Sequence, residues 1–207
     1  NWADRRAPKL KELAARRSLD DLTIGPVLTW TNKQIQEHVD AVLDVPGTKL
    51  LFGGAPLTGH NIPDCYGAYE PTAISVPLSE FDSDHFDLVA KELFGPFQVI
   101  VRYGDDDLDT VLSLLERMSH HLTAAVVSAD ILCQNKVLGA TVNGTTYGGM
   151  RARTTGAPQN HWFGPSGDPR GAGIGTPEAI QLTWSAHREI IHDQGPRPDG
   201  WSIPPVQ

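Results

Sequence analysis

The run Lys91-Glu92-Leu93-Phe94-Gly95-Pro96-Phe97 sets a carboxylate, an aromatic ring and a Gly-Pro turn side by side, just ahead of a segment dense in β-branched and aromatic residues. Loops at the strand edges of α/β sheets line ligand crevices, and a carboxylate there can accept hydrogen bonds from the vicinal hydroxyls of a ribose. The same residues read equally well as a turn with a solvated Glu92 and a core Phe94. Spacing alone does not separate the two readings.

Other chemical signals are weaker. Gly171, Gly173 and Gly175 suggest a phosphate loop, but no suitable strand leads in and no Lys follows, so a tight turn ahead of a helix at Pro177 is the better use. Arg151, Arg153 and Arg170 could pair with a substrate carboxylate through their guanidinium forks; surface or inter-subunit salt bridges are the favoured alternative. His120 and His121 with His161 could suggest a metal. Adjacent histidines diverge, however, and no carboxylate stands at a ligand spacing, so no metal is expected. Of the two cysteines, Cys133 reads as a small core residue on a helix and Cys65 as a surface residue in a polar stretch.

The elements that must position these groups are legible from periodicity. Ala7 to Arg17 carries Leu10, Leu13 and Ala14 at helical spacing. A clearer helix lies in NKQIQEHVDAVLDV, where Ile35, Val39, Val42 and Leu43 share a face, Asn32 can cap the start, and Pro46-Gly47 supplies the stop. TKLLFGG reads as a strand, Ala55 to Glu70 as an aperiodic surface excursion, and TAISVP as a second strand. FQVIVRY is a third. DLDTVLSLLERM then places Leu108, Val111, Leu112 and Leu115 on one helical face behind the acidic triplet Asp105, Asp106 and Asp107. TAAVVS, DILCQNKVLG and TVN continue the alternation as strand, helix and strand. Strands alternating with helices imply right-handed crossovers and a largely parallel sheet, so the fold class is α/β. Gly144 to Gly175 is a long Gly-, Pro-, Thr- and Arg-rich loop, and the tail QGPRPDGWSIPPVQ cannot pack a core by itself.

Bulk properties narrow the partners. The 207 residues are 40% apolar, enough for one domain with a sizeable core. A formal net charge of -8 argues against nucleic acid and against anionic membranes, which would repel it. No apolar run approaches the roughly 20 residues that cross a bilayer, and the first ten residues hold no signal-peptide core. The chain begins at Asn1 rather than Met, which suggests residues upstream. Two cysteines make neither a disulfide framework nor a four-cysteine metal site, so a reducing compartment is expected.

At Glu92-Leu93-Phe94-Gly95-Pro96 the sequence resembles the aldehyde dehydrogenase superfamily, whose signature here is Glu, a variable residue, then Phe-Gly-Pro. The resemblance runs along nearly the whole chain, through GPVLTWTNKQIQEHVDAVL and GTKLLFGG upstream and FQVIVRYGDDDLDTVLSLLERM, LTAAVVS and VNG downstream. The loop NGTTYGGMRARTTGAPQNHWFGPSGDPRGAGIG narrows it to the plant enzymes that oxidise glutamate semialdehyde to glutamate. The resemblance implies NAD as cofactor, with Glu92 matching the Glu that binds the nicotinamide ribose and Phe94 the ring beside the nicotinamide. Asn143 matches an Asn at the mouth of the aldehyde site, holding the loop's backbone being the other use. Thr155, Gly156, Ala157 and Phe163 match the turn and aromatic wall that anchor the substrate carboxylate in semialdehyde-oxidising relatives. Ala157 stands where a hydroxyl would help, and Phe163-Gly164-Pro165 replaces Phe-Gly-Gly, which makes Gly156 a better candidate than Ala157.

The resemblance also implies that residues 1–182 are the C-terminal portion of a catalytic domain and that 183–207 form an oligomerisation strand, Thr183 to Ile191, followed by a Pro-rich tail. A homo-oligomer, dimer or tetramer, in the mitochondrial matrix is the expectation. By family order the nucleophilic Cys, the general-base Glu and the nucleotide-binding region precede Asn1, so the chain alone is expected to be inactive. The alternative expectation is a truncated product that acts only by associating with full-length subunits.

Overall fold

The computed structural model describes residues 6–20, 24–119, 121, 123–152, 181, 190 and 199–200. They fall into two units, Asn1–Ser119 and His120–Gln207. The expected helix start at Pro177, nearly all of the Thr183 to Ile191 strand and most of the tail lie outside the described residues.

The first unit opens with α1 (Ala7–Ala14). Its organising helix is α2 (Asn32–Leu43), which buries Ile35, Val39 and Val42 as their spacing predicts, with Leu43 partly buried. Each such side chain taken out of water stabilises by about 1.5–3 kcal/mol. The cap is one residue earlier than expected. Thr31 Oγ1 accepts from the Gln34 N–H at 3.3 Å and Gln34 Oε1 accepts from the Thr31 N–H at 2.9 Å, a reciprocal pair that satisfies two orphan donors. Asn32 is freed for another task and accepts from the Ala68 N–H at 2.7 Å.

Strands β1 (Lys49–Phe52), β2 (Thr72–Pro77) and β3 (Phe97–Arg102) form one sheet in that order. β2 and β3 are parallel, with Thr72 opposite Phe97 and Val76 opposite Val101. β1 runs antiparallel to β2, with a register shift between Leu50 and Phe52. The central strand β2 buries Thr72, Ala73, Ile74 and Val76 on both of its faces, as expected of a strand covered on each side. Two one-turn helices, α3 (Leu78–Phe81) and α4 (Phe86–Val89), make the β2–β3 crossover. Ile74 and Val76 join Val27, Ile35, Val39, Val42, Tyr69, Val89 and Leu93 in one core.

Gly53 turns the chain out of β1 at φ +73°, where a side chain is strained, and a Cβ there would also collide with the Pro71 carbonyl oxygen. The Gly54 N–H then donates to Thr72 Oγ1 at 2.9 Å. The stretch from Ala55 to Glu70 corrects the reading of a plain surface excursion. Its middle is exposed, but it closes back through Val27 and Gly67, whose backbones exchange hydrogen bonds of 2.7 and 2.9 Å, and it delivers Tyr69 to the core at 1% exposure. The Tyr69 hydroxyl lies 2.7 Å from Gln36 Oε1 and 3.0 Å from the Gly54 carbonyl. Burial first, then the carboxylates of Asp40 and Glu70, push its pKa up to about 12, so it stays a donor at neutral pH.

α5 (Leu108–Arg117) follows the Asp105–Asp107 turn, where Asp107 accepts from the Gly104 N–H at 2.8 Å. Its buried residues are Leu112 and Leu114, whereas Leu115 is exposed, which corrects the expected face. Leu112 is buried and Leu108 and Val111 are half-buried on the expected face, while Leu114, about 200° round the helix from Leu112, is buried as well, so the helix is covered on more than one side.

In the second unit β4 (Thr123–Val126) and β5 (Thr145–Gly148) are parallel and joined by α6 (Ile131–Ala140), a βαβ crossover. Asp130 Oδ1 caps α6 by accepting from the Leu132 N–H at 2.8 Å. The strand expected at TVN lies further on, because the Thr141 N–H still bonds to the Val137 carbonyl and extends the helix end into that stretch. Asn143 therefore sits in the α6–β5 connection. Cys133 is only partly buried rather than a core residue, since α6 has no buried residue among those described.

Candidate functional site

The loop 91–96 leaves α4 and enters β3 under tight backbone control. The Gly95 N–H donates to the Leu93 carbonyl and the Phe97 N–H to the Gly95 carbonyl, each at 2.8 Å. The Thr72 N–H holds the Pro96 carbonyl at 2.7 Å, tying the loop to the start of β2. Leu93 is the plug: 5% exposed, it belongs to the core. With Leu93 turned inward, its neighbours turn outward. Glu92 is exposed and Phe94 is 74% exposed, so Phe94 is not the core residue that one reading made it. A Cβ at Gly95 would come within 2.9 Å of Val27 Cγ2 and 3.0 Å of Leu93 Cδ2, so a side chain here would have to push the Val27 or Leu93 side chain aside.

Touching the residues at the loop's two ends is a cluster that periodicity did not reveal. His38, on the buried face of α2, packs its ring 6.0 Å from that of Trp30 and 5.4 Å from that of Phe97, the latter edge-on. Lys91 Nζ sits 5.0 Å from the centre of the Trp30 ring. His38 Nε2 is buried with no hydrogen-bond partner among the described residues. A charge there would be uncompensated, and burial first, then the Lys91 ammonium, hold the His38 pKa below its ordinary value. The unfolded chain, with a histidine near pKa 6.5, therefore binds more protons than the folded one once the pH drops below about 6.5. His38's neutral form is fully favoured above that pH, and stability falls as the pH is lowered toward its folded-state titration. Urea unfolding at pH 7.5 and pH 5 should show this loss for the parent and a smaller one for His38→Phe; equal losses would assign the acid sensitivity elsewhere.

The sequence candidates fall into three groups. Glu92 and Phe94 share the loop, two positions apart. Asn143 is half-buried in the second unit. Thr155, Gly156, Ala157 and Phe163 lie outside the described residues, as do Arg153 and Arg170. The groove of about 520 Å³ lined by Leu13, Arg17, Phe52, Thr72, Gly95 and Phe97 touches the loop's far end but includes neither Glu92 nor Phe94. Among the described residues no group of His, Cys, Asp and Glu could hold a metal ion, and no helix is long and apolar enough to cross a membrane.

No family model matches the chain. It is 62% identical over 199 residues to the Arabidopsis thaliana protein named Delta-1-pyrroline-5-carboxylate dehydrogenase 12A1, mitochondrial, covering 95% of this chain and 36% of that protein. It is 61% identical over 207 residues to a "Probable aldehyde dehydrogenase" of Linum usitatissimum, covering 99% of this chain and 38% of that one. The chain thus spans a little over a third of the length of the curated relatives it matches. In fold it is similar to a lactaldehyde dehydrogenase structure, with TM-score 0.57 and 20% identity over 78% of this chain and 33% of that one. The Delta-pyrroline-5-carboxylate dehydrogenase of Mycobacterium tuberculosis aligns with TM-score 0.53 and 18% identity, over 81% of this chain and 30% of that one. With this identity along nearly all of its residues, and an α/β fold shared with solved aldehyde dehydrogenases, the chain belongs to the aldehyde dehydrogenase superfamily.

Proposed function

We propose that this chain is part of an NAD-dependent dehydrogenase that oxidises L-glutamate γ-semialdehyde, the open form of Δ1-pyrroline-5-carboxylate, to glutamate in proline catabolism. The observation that carries the reading is the 62% identity to the Arabidopsis protein across 95% of the chain. The shape of the 91–96 loop supports it. Glu92 offers an exposed carboxylate, and Phe94 presents an uncovered apolar ring two residues on. That pair suits one end of a dinucleotide: Glu92 accepts hydrogen bonds from the nicotinamide ribose, and Phe94 packs beside the nicotinamide. NAD, when bound, supplies the hydride acceptor. Asn143, Thr155, Gly156, Ala157 and Phe163 are the proposed substrate contacts, the Gly156 turn offering backbone N–H groups to the substrate's carboxylate.

In this reading the attacking thiol and the base that activates water come from the part of the relatives that this chain does not span. The assembled enzyme is a mitochondrial homo-oligomer that pairs through Thr183 to Ile191. Joining the chain to the remaining part of the Arabidopsis relative and following NADH formation tests the proposal. Turnover of glutamate semialdehyde by the joined protein, and none by the chain alone, is the expected result; oxidation of other aldehydes with glutamate semialdehyde left untouched overturns the substrate assignment.

A further inference from the structure

The two side chains proposed for the nucleotide are both exposed, so the core does not hold them directly. What holds them is the loop's two ends. At the N-terminal end Lys91 rests its ammonium over the Trp30 ring at 5.0 Å. At the C-terminal end Phe97 meets the His38 ring edge-on at 5.4 Å. Trp30 and His38 are themselves neighbours at 6.0 Å, so four side chains form one continuous ladder that links residue 91 to residue 97, the positions that flank Glu92 and Phe94 in the loop. His38 contributes here as a ring, because its buried Nε2 makes no hydrogen bond among the described residues. Trp30 precedes the Thr31 cap and His38 stands within α2, so the ladder is built on the most regular element of this unit.

We infer that the Lys91, Trp30, His38 and Phe97 ladder is a clasp that fixes the span between its ends, which makes Trp30 and His38 positioning residues for Glu92 and Phe94. Leu93 sets the depth of the loop and the clasp sets its lateral placement. Opening either end leaves Leu93 seated but lets Glu92 sample positions from which it no longer reaches both ribose hydroxyls. The inference rests on the reading of Glu92 and Phe94 as nucleotide contacts.

Two measurements test the parts separately. Amide hydrogen exchange on the full 207-residue chain reports the clasp without any nucleotide. Lys91→Met alters an exposed side chain and leaves the core intact; it should speed exchange at residues 92–95 and 97 roughly two- to fivefold, with β2 unchanged. Lys91→Arg should restore the parent rates. His38→Leu should act at least as strongly and His38→Phe should stay near the parent, because only the second keeps a ring edge for Phe97. Unchanged exchange in Lys91→Met and His38→Leu overturns the clasp. The joined protein then reports the consequence: Lys91→Met should raise KM for NAD about two- to fivefold at nearly constant kcat. Faster exchange with KM for NAD unaltered shows that the clasp orders the loop and overturns the nucleotide reading on which the positioning role depends.

Discussion

Gly53→Ala is expected to destabilise the first unit by about 2–5 kcal/mol, the sum of left-handed backbone strain and overpacking. At φ +73° an added Cβ faces the Pro71 carbonyl oxygen, with Thr72 Oγ1 at 2.6 Å and Thr72 Cα at 2.8 Å, and two of the three are backbone atoms that cannot rotate away. Any retreat pulls on Thr72, whose hydroxyl accepts from the Gly54 N–H and donates to the Glu70 carbonyl, and whose N–H holds Pro96. The disturbance thus passes from the β1 turn to the loop that carries Glu92. Gly59→Ala separates strain from collision, because Gly59 has φ +72° but an added methyl there would meet nothing within 4 Å. Its cost should stay near the strain alone, about 1–2 kcal/mol. Urea midpoints for the two variants should differ clearly; coincident midpoints would mean that the neighbourhood of Pro71 yields freely.

Glu92→Gln is expected to raise KM for NAD roughly 5- to 30-fold in the joined protein, the difference between charge-assisted and neutral hydrogen bonds to two hydroxyls. The amide keeps the shape and one acceptor oxygen but loses the charge. Because Glu92 is exposed, unfolding should move by less than about 0.5 kcal/mol, which keeps binding and folding effects apart. Phe94→Ala tests the neighbouring ring in the same assay. A KM for NAD that ignores both changes would remove the loop from the cofactor site.

The parts of the fold that were legible in the sequence are those where one period runs long enough to outvote local chemistry. α2 is the clearest case: Ile35, Val39 and Val42 mark its buried face unaided. β2 and β3 announce themselves through β-branched runs. α3 and α4 are single turns, too short for a helical period to show. Tyr69 was hidden because its burial depends on two small neighbours, Gly67 and Ala68, and on bridges to distant residues, not on any pattern of its own. His38 was hidden for a related reason: a histidine on an apolar face breaks the hydrophobic pattern although its ring fills the same space. In the candidate site, Glu92 and Phe94 stood out as residue types in a short motif. That both side chains project outward follows from Leu93 filling the core between them, which composition does not state. The α6 end and β5 were misplaced by a few residues because Thr141, a good strand former, is captured by the helix it follows.

The order of the first sheet carries a consequence for how the protein comes into being. Its three strands are taken from one uninterrupted stretch, Lys49 to Arg102, and each lies beside the next in the sequence. Contacts between nearby segments cost little chain entropy to close and form quickly. A ribosome that has released Arg102 from its exit tunnel has therefore already delivered the three strands described for this sheet, which can begin to pair while α5 and the residues behind it are still being translated.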